Sequence, residues 1–164
     1  MILGMSVETF TFVHVVISLV GIMTGFIVVA VMLQSGPIAG WNAFFLVSTI
    51  LTSVTGFFFP IKVFGPPHIV GVISLVVLAV ALVAIYGKKL AGPWRAIYVG
   101  SAVLALYLNV FVAVVQSFDK FPYLHKFAPT GSEPAFAVTQ GLVLILFIVV
   151  GIAAVRRYRP ALSI

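Results

Sequence analysis

The side chains that could bind protons or metals are few in this chain, and all of them fall toward one side of the membrane that its apolar segments predict. The three histidines and three carboxylates are His14, His68, His125, Glu8, Asp119 and Glu133. Neutral imidazoles bind iron, copper and zinc, and they exchange protons near neutral pH. A functional site is therefore expected on this side of the protein.

His14 and His68 are the strongest candidates for a metal or cofactor site. Each stands near the outer start of an apolar segment, so the two imidazoles are expected within about one helical turn of each other in depth. Axial histidines on different helices are a known way to hold haem, and the most concrete hypothesis is a b-type haem held by both. The chain has no cysteine, which excludes thiolate metal sites and covalently attached haem.

Three amides, Asn109, Gln116 and Gln140, complete the predicted site in the outer half of the bundle. A lipid-facing amide would leave its donors and acceptors unsatisfied, so all three are expected to face the interior. Asn109 and Gln116 share one helical face and could bind a haem propionate or a quinone head. Gln140 stands at the outer end of the last segment.

The remaining ionisable residues have simpler explanations. Glu8 and Glu133 are expected at helix starts, where acids and capping residues are common. His125 lies in the polar segment 119–126, which predicts an amphipathic stretch at the membrane interface. His68 follows two prolines and can also be explained as a residue that begins a helix.

The elements that must position these residues are membrane helices. The chain of 164 residues is 63% hydrophobic and 7% charged, with a mean hydropathy of +1.30, whereas soluble domains carry about 25% charged residues. Apolar segments span approximately 10–33, 41–60, 68–87, 95–117 and 134–155, each long enough to cross a hydrocarbon core. This pattern predicts an all-α, polytopic membrane bundle with five transmembrane helices in a single integral-membrane domain, 1–164.

The basic residues predict the orientation of this bundle. One side holds six of them and no acid: Lys88, Lys89, Arg95, Arg156, Arg157 and Arg159. The other side holds Lys62, Lys120 and Lys126 together with all the acids. Because cytoplasmic loops are enriched in lysine and arginine, we expect the N-terminus outside and the C-terminus in the cytoplasm.

Partners other than the lipid bilayer are limited by the same residues. No basic run is long enough for a nucleic-acid surface, so no nucleic acid is expected. The segments 51–60 and 105–110 resemble parts of bacterial membrane proteins, which implies a bacterial inner membrane and no particular function. Gly21 and Gly25 lie on one face with His14 and form a G-x-x-x-G pattern. This pattern favours tight packing within the bundle over formation of a homo-oligomer.

Three classes of function remain open. The first is electron transfer through a haem or another redox cofactor. The second is a small-solute or proton-coupled transporter, and the third is a structural or assembly subunit of a larger membrane complex. No catalytic motif identifies an enzyme. The inner half of every segment is nearly pure valine, leucine, isoleucine and alanine, which argues against a constitutive channel.

Overall fold

The computed structural model describes residues 1–60 and 65–160, and every regular element within them is a helix. Lys62, which entered the orientation argument, lies outside them. The helices are α1 (Val7–Leu33), α2 (Ala39–Gly56), α3 (Pro66–Leu82), α4 (Trp94–Lys120), α5 (Pro122–His125) and α6 (Pro134–Arg157), and a π-helical segment, Val83–Gly87, continues α3. The all-α prediction is confirmed over these two ranges.

Four of these helices are long and apolar enough to cross a membrane. They are α1, α3 with its π-helical continuation, α4 and α6, and they are compatible with an integral membrane protein. The helix boundaries lie a few residues from the predicted ones. For example, α1 begins at Val7 because Ser6 caps it, accepting a hydrogen bond of 3.1 Å from the backbone nitrogen of Thr9. The remaining long helix, α2, has 18 residues and is not among the four.

Helices α1 and α2 run antiparallel and in close contact. A Cβ atom added at Gly21 would lie 3.3 Å from Thr49 Oγ1, and one added at Gly25 would lie only 2.9 Å from Phe45 Cε2 and 2.6 Å from Leu106 Cδ1. Because real Cβ atoms do not approach so closely, Gly25 is required where α1, α2 and α4 meet. The two glycines therefore serve packing inside the bundle, as predicted.

Helix α4 is central, since it contacts α1, α2, α3 and α6. Its first half is enclosed on the side that faces these neighbours, where Tyr98, Ala102 and Leu106 are fully buried. Its second half is more open, because residues 107–115 are all only half-buried. The bundle is therefore more enclosed around the first half of α4 than around its second half.

The more enclosed end of the bundle is called the basic end. It carries Lys88, Lys89, Arg95, Arg156, Arg157 and Arg159. Arg95 Nη1 donates hydrogen bonds to the carbonyl oxygens of Val155, at 2.9 Å, and Tyr158. The backbone nitrogen of Arg159 donates to Ser35 Oγ at 2.7 Å. These bonds join the start of α4, the end of α6 and the α1–α2 turn. The opposite end, which holds His14 and His68, is called the histidine end.

Candidate functional site

His14 lies on α1, half-buried against α2. Its Nδ1 atom is 2.7 Å from Thr55 Oγ1, and the Thr55 hydroxyl is also 2.6 Å from the Leu51 carbonyl oxygen. A hydroxyl has one proton and the carbonyl can only accept, so the Thr55 proton points to Leu51 and the bond to His14 must be donated by Nδ1–H. Neutral His14 therefore carries its proton on Nδ1 and presents a lone pair at Nε2.

Aromatic rings pack beside His14 at the histidine end. The His14 ring stands edge-on to Phe59, with 5.2 Å between ring centroids. Phe10, which is only 2% exposed, packs edge-on against Phe59 at 5.1 Å and also against Phe58. The imidazole thus has an apolar wall on one side and the Thr55 hydroxyl on the other.

His68 lies in the first turn of α3, which begins at Pro66, and this agrees with the simpler of its two explanations. Its Nδ1 accepts a hydrogen bond of 3.2 Å from the backbone nitrogen of Gly65, and its ring lies 6.1 Å from that of Phe57. When Nδ1 accepts, a neutral imidazole carries its proton on Nε2. His68 could therefore bind a metal through Nε2 only by giving up this bond at the start of α3.

Asn109 faces the interior, as predicted, and joins α4 to α2. Its Nδ2 atom donates to Thr49 Oγ1 at 3.3 Å. A third bond of 3.0 Å connects Ser53 on α2 to Ser74 on α3. Hydroxyls of α2 thus bind polar groups on three neighbouring helices, because the pairs His14–Thr55, Asn109–Thr49 and Ser74–Ser53 lie along its length. We call these six residues the polar layer.

Gln140 is buried on α6 and only partly satisfied. Its Nε2 atom donates to the carbonyl oxygen of Phe111 at 3.1 Å. Its Oε1 atom is buried and has no hydrogen-bond partner within the described residues, and the same holds for Thr52 Oγ1. An unpaired buried acceptor is costly, so Oε1 is a place where a donor group of a ligand would be favoured.

The interior position predicted for Gln116 is wrong, since this residue is exposed. It does follow Asn109 on the same helical face, but the neighbours of α4 no longer cover it at that height. Helical spacing predicts on which face of a helix a residue lies, whereas its burial depends on how far the neighbouring helices extend. Gln116 therefore stands at the open rim of the histidine end.

The remaining ionisable groups of this end lie outside the polar layer. His125 ends the short helix α5 and is exposed, and the exposed pair Asp119–Lys120 forms an ion pair at 2.7 Å. Glu133 is the residue that precedes α6, as predicted. Although desolvation opposes the shift, hydrogen bonds from Thr130 and Ser132 lower the pKa of Glu133 below its usual value.

A buried polar pair at the basic end escaped the sequence prediction. Tyr98 on α4 donates a hydrogen bond from its hydroxyl to Asn42 Oδ1 on α2, and Asn42 is only 1% exposed. The inner half of the bundle is thus not purely apolar. The two residues are 56 positions apart, so no local pattern in the sequence links them.

Taken together, the histidine end provides one imidazole with a lone pair and several hydroxyls in the polar layer, and one unpaired amide oxygen on Gln140 outside it. No group of three or more histidine, aspartate or glutamate residues suited to a metal ion occurs in the two described ranges. No protein-family model, curated protein or solved structure matches this chain. The functional argument therefore rests on the geometry of these side chains.

Proposed function

We propose that this protein is a five-span integral membrane transporter that receives a small hydrogen-bond-donating solute, together with a proton, at the histidine end. The observation that carries this proposal is the unequal enclosure of α4, which is buried from Tyr98 to Leu106 and half-buried beyond. The acceptors His14 Nε2 and Gln140 Oε1 belong to the less covered half. A solute with hydroxyl or ammonium groups would satisfy them.

The fifth span in this proposal is α2. Its 18 residues have a length of about 27 Å at 1.5 Å per residue, close to the ~30 Å of a hydrocarbon core. Its contacts with α1 run from Gly25–Phe45 to His14–Thr55. Four of the five serine and threonine side chains that lower its hydropathy, all except Thr52, are bonded within the bundle, which makes them compatible with a membrane.

The proposed setting is a bacterial inner membrane with the N-terminus outside and the C-terminus in the cytoplasm. Support comes from the clustering of six basic residues at one end, which the positive-inside rule assigns to the cytoplasm. The histidine end then faces the periplasm. A solute would reach the polar layer from that side, and the enclosed basic end would have to open to release it.

His14 is the proposed proton acceptor. Protonation at Nε2 leaves the Nδ1–H bond to Thr55 unchanged, so the imidazolium retains its position and gains a donor. Histidine is suited to this role because its charge changes near neutral pH. Its place in the polar layer would couple the proton to the solute, because a protonated Nε2 donates a hydrogen bond where the neutral atom accepts one.

Thiol labelling tests whether the second half of α4 is accessible from the histidine end while its first half is enclosed. The chain has no cysteine, so single substitutions report one position each. In right-side-out vesicles, a membrane-impermeant thiol reagent should label Ala113→Cys, at the half-buried part of α4, and should not label the matched variant Ala102→Cys, in its buried part. If neither thiol reacts, the bundle is closed at both ends and the proposal fails.

A b-type haem is the second candidate, and the His14–Thr55 bond favours it. Histidines that bind metals almost always donate their other ring N–H to a nearby acceptor, as His14 does. The second axial ligand of the original hypothesis, His68, would have to release the Gly65 nitrogen. Protein purified with added hemin should show a Soret band that His14→Ala abolishes and His125→Ala preserves. Absence of the band in the wild-type protein rejects haem binding.

A further inference from the structure

A second feature of the molecule lies outside the polar layer, on the outer surface of the bundle. An apolar groove of about 460 Å³ runs between α4 and α6. Gly100 and Tyr107 line it on α4, Phe147 and Gly151 line it on α6, and Arg156 stands at its basic end. Apart from Arg156, the groove offers almost nothing that could bind a polar ligand.

The length of the groove matches one leaflet of a membrane. Its lining on α6 runs from Leu144 to Arg156, a distance of about 18 Å at 1.5 Å per residue. Half of a hydrocarbon core is about 15 Å. A chain that starts beside Arg156 would therefore end close to the middle of the membrane.

Glycines keep the groove open. A Cβ atom added at Gly100 would meet nothing within 4 Å, and one added at Gly151 would lie 3.4 Å from Val103 Cγ1. Larger side chains at these positions would occupy the space between the two helices. Gly100 in particular can be enlarged without a clash in the bundle, which makes it a clean position for a test.

The positive charge of Arg156 at the end of the groove favours a ligand with a negatively charged group. Arg156 is exposed and forms no ion pair with any described residue, and the exposed Arg157 and Arg159 follow it. Basic positions next to membrane helices attract anionic lipid headgroups. We propose that the groove holds an acyl chain of an anionic phospholipid whose phosphate pairs with Arg156. This proposal is independent of the function assigned to the histidine end.

A second copy of the chain fits the groove less well. Two copies in one membrane share their orientation, so a symmetric dimer has its two-fold axis along the membrane normal. Such a dimer across this groove would bring both Arg156 side chains to the same depth, where their like charges repel. A phospholipid supplies the opposite charge at that depth instead.

Native mass spectrometry with defined lipids tests the proposal. The protein is released from micelles that contain equal amounts of dioleoyl phosphatidylglycerol and dioleoyl phosphatidylcholine. Wild-type protein should retain the anionic lipid about fivefold more than the neutral one, as expected for one basic group at the membrane surface. Arg156→Gln should remove this preference, whereas the matched variant Arg157→Gln, which does not line the groove, should keep it.

Filling the groove provides the second arm of the test. Gly100→Leu should reduce retention of both lipids, whereas Gly40→Leu, also at a glycine with nothing within 4 Å of an added Cβ, should leave it unchanged. Circular dichroism checks that each variant keeps its helices. The proposal is overturned if Arg156→Gln keeps the lipid preference or Gly100→Leu keeps the bound lipid. A wild-type dimer that Gly100→Leu dissociates would also overturn it and assign the groove to a second copy.

Discussion

At the scale of single residues, Thr55 decides what His14 can do. Its only hydroxyl proton is directed at the Leu51 carbonyl oxygen, so the oxygen can only accept from the imidazole. One hydroxyl on α2 thereby fixes the tautomer of a histidine on α1. The consequence reaches the opposite side of the ring, where Nε2 becomes the atom available to a proton or a ligand.

Removing this hydroxyl should destabilise the protein. In Thr55→Val the Nδ1–H group of His14 loses its acceptor; a fully buried donor would cost about 1–3 kcal/mol, and the half-buried position of His14 places the cost at the lower end of that range, about 1 kcal/mol. The free energy of unfolding, measured by sodium dodecyl sulfate titration in mixed micelles, should fall by about that amount. The matched variant Thr11→Val loses a hydroxyl that bonds only its own helix, at the Val7 carbonyl oxygen, and should change little. Equal effects of the two variants would contradict the assigned bond.

Residue positions were predictable from the sequence where helical spacing decides them. His14 shares a face with two glycines, and the structure places that face against α2 and α4. Spacing could not give the exposure of Gln116, because cover at that height depends on where neighbouring helices stop. Nor could it give the pairing of Asn42 with Tyr98, since the two residues are 56 positions apart and meet only through tertiary packing.

At the scale of elements, the contact between α1 and α2 depends on Gly25. In Gly25→Ala the new methyl group would lie 2.6 Å from Leu106 Cδ1 and 2.9 Å from Phe45 Cε2. Overpacking of this kind costs about 1–3 kcal/mol. Unfolding titrations should show that loss for Gly25→Ala. In contrast, Gly141→Ala, where an added Cβ meets nothing within 4 Å, should be neutral or slightly stabilising. A neutral Gly25→Ala would show that α1 and α2 are farther apart.

The proposed crossing of α2 has a direct test in the same cysteine-free chain. Ala39→Cys and Phe58→Cys place thiols at the exposed start of α2 and just beyond its end. If α2 spans the membrane in the proposed orientation, an impermeant reagent outside intact cells labels Phe58→Cys only. Ala39→Cys becomes labelled after the membrane is opened. Labelling of both thiols from one side would place α2 on the membrane surface, and labelling of Ala39→Cys alone would reverse the orientation.

The element boundaries were predictable to within a few residues, because prolines and glycines flank most of the helices. Whether α2 crosses the membrane was less predictable. Its apolar residues suggested a span, but five serine and threonine side chains, Ser48, Thr49, Thr52, Ser53 and Thr55, reduce its hydropathy. Only the structure reveals that three of them bind other helices, which is a property of the bundle and not of the segment.

At the scale of the whole molecule, the two ends of the bundle differ in their charge, in how far they are enclosed and in their unpaired acceptors. The basic end is closed by the core around Leu106 and by the Tyr98–Asn42 bond, and it carries the arginines. The histidine end is less covered and carries the unpaired acceptors. Composition predicted this asymmetry of charge, whereas the asymmetry of enclosure follows from the central position of α4, which no single segment indicates.

The most direct test of the central claim is nitrogen NMR of histidine-labelled protein in lipid nanodiscs, with the His14 signals identified from their loss in His14→Gln. We predict that neutral His14 carries its proton on Nδ1 and that Nε2 takes up a second proton when the pH is lowered. A neutral His14 protonated on Nε2 would contradict the account, as would an imidazole that does not respond to pH.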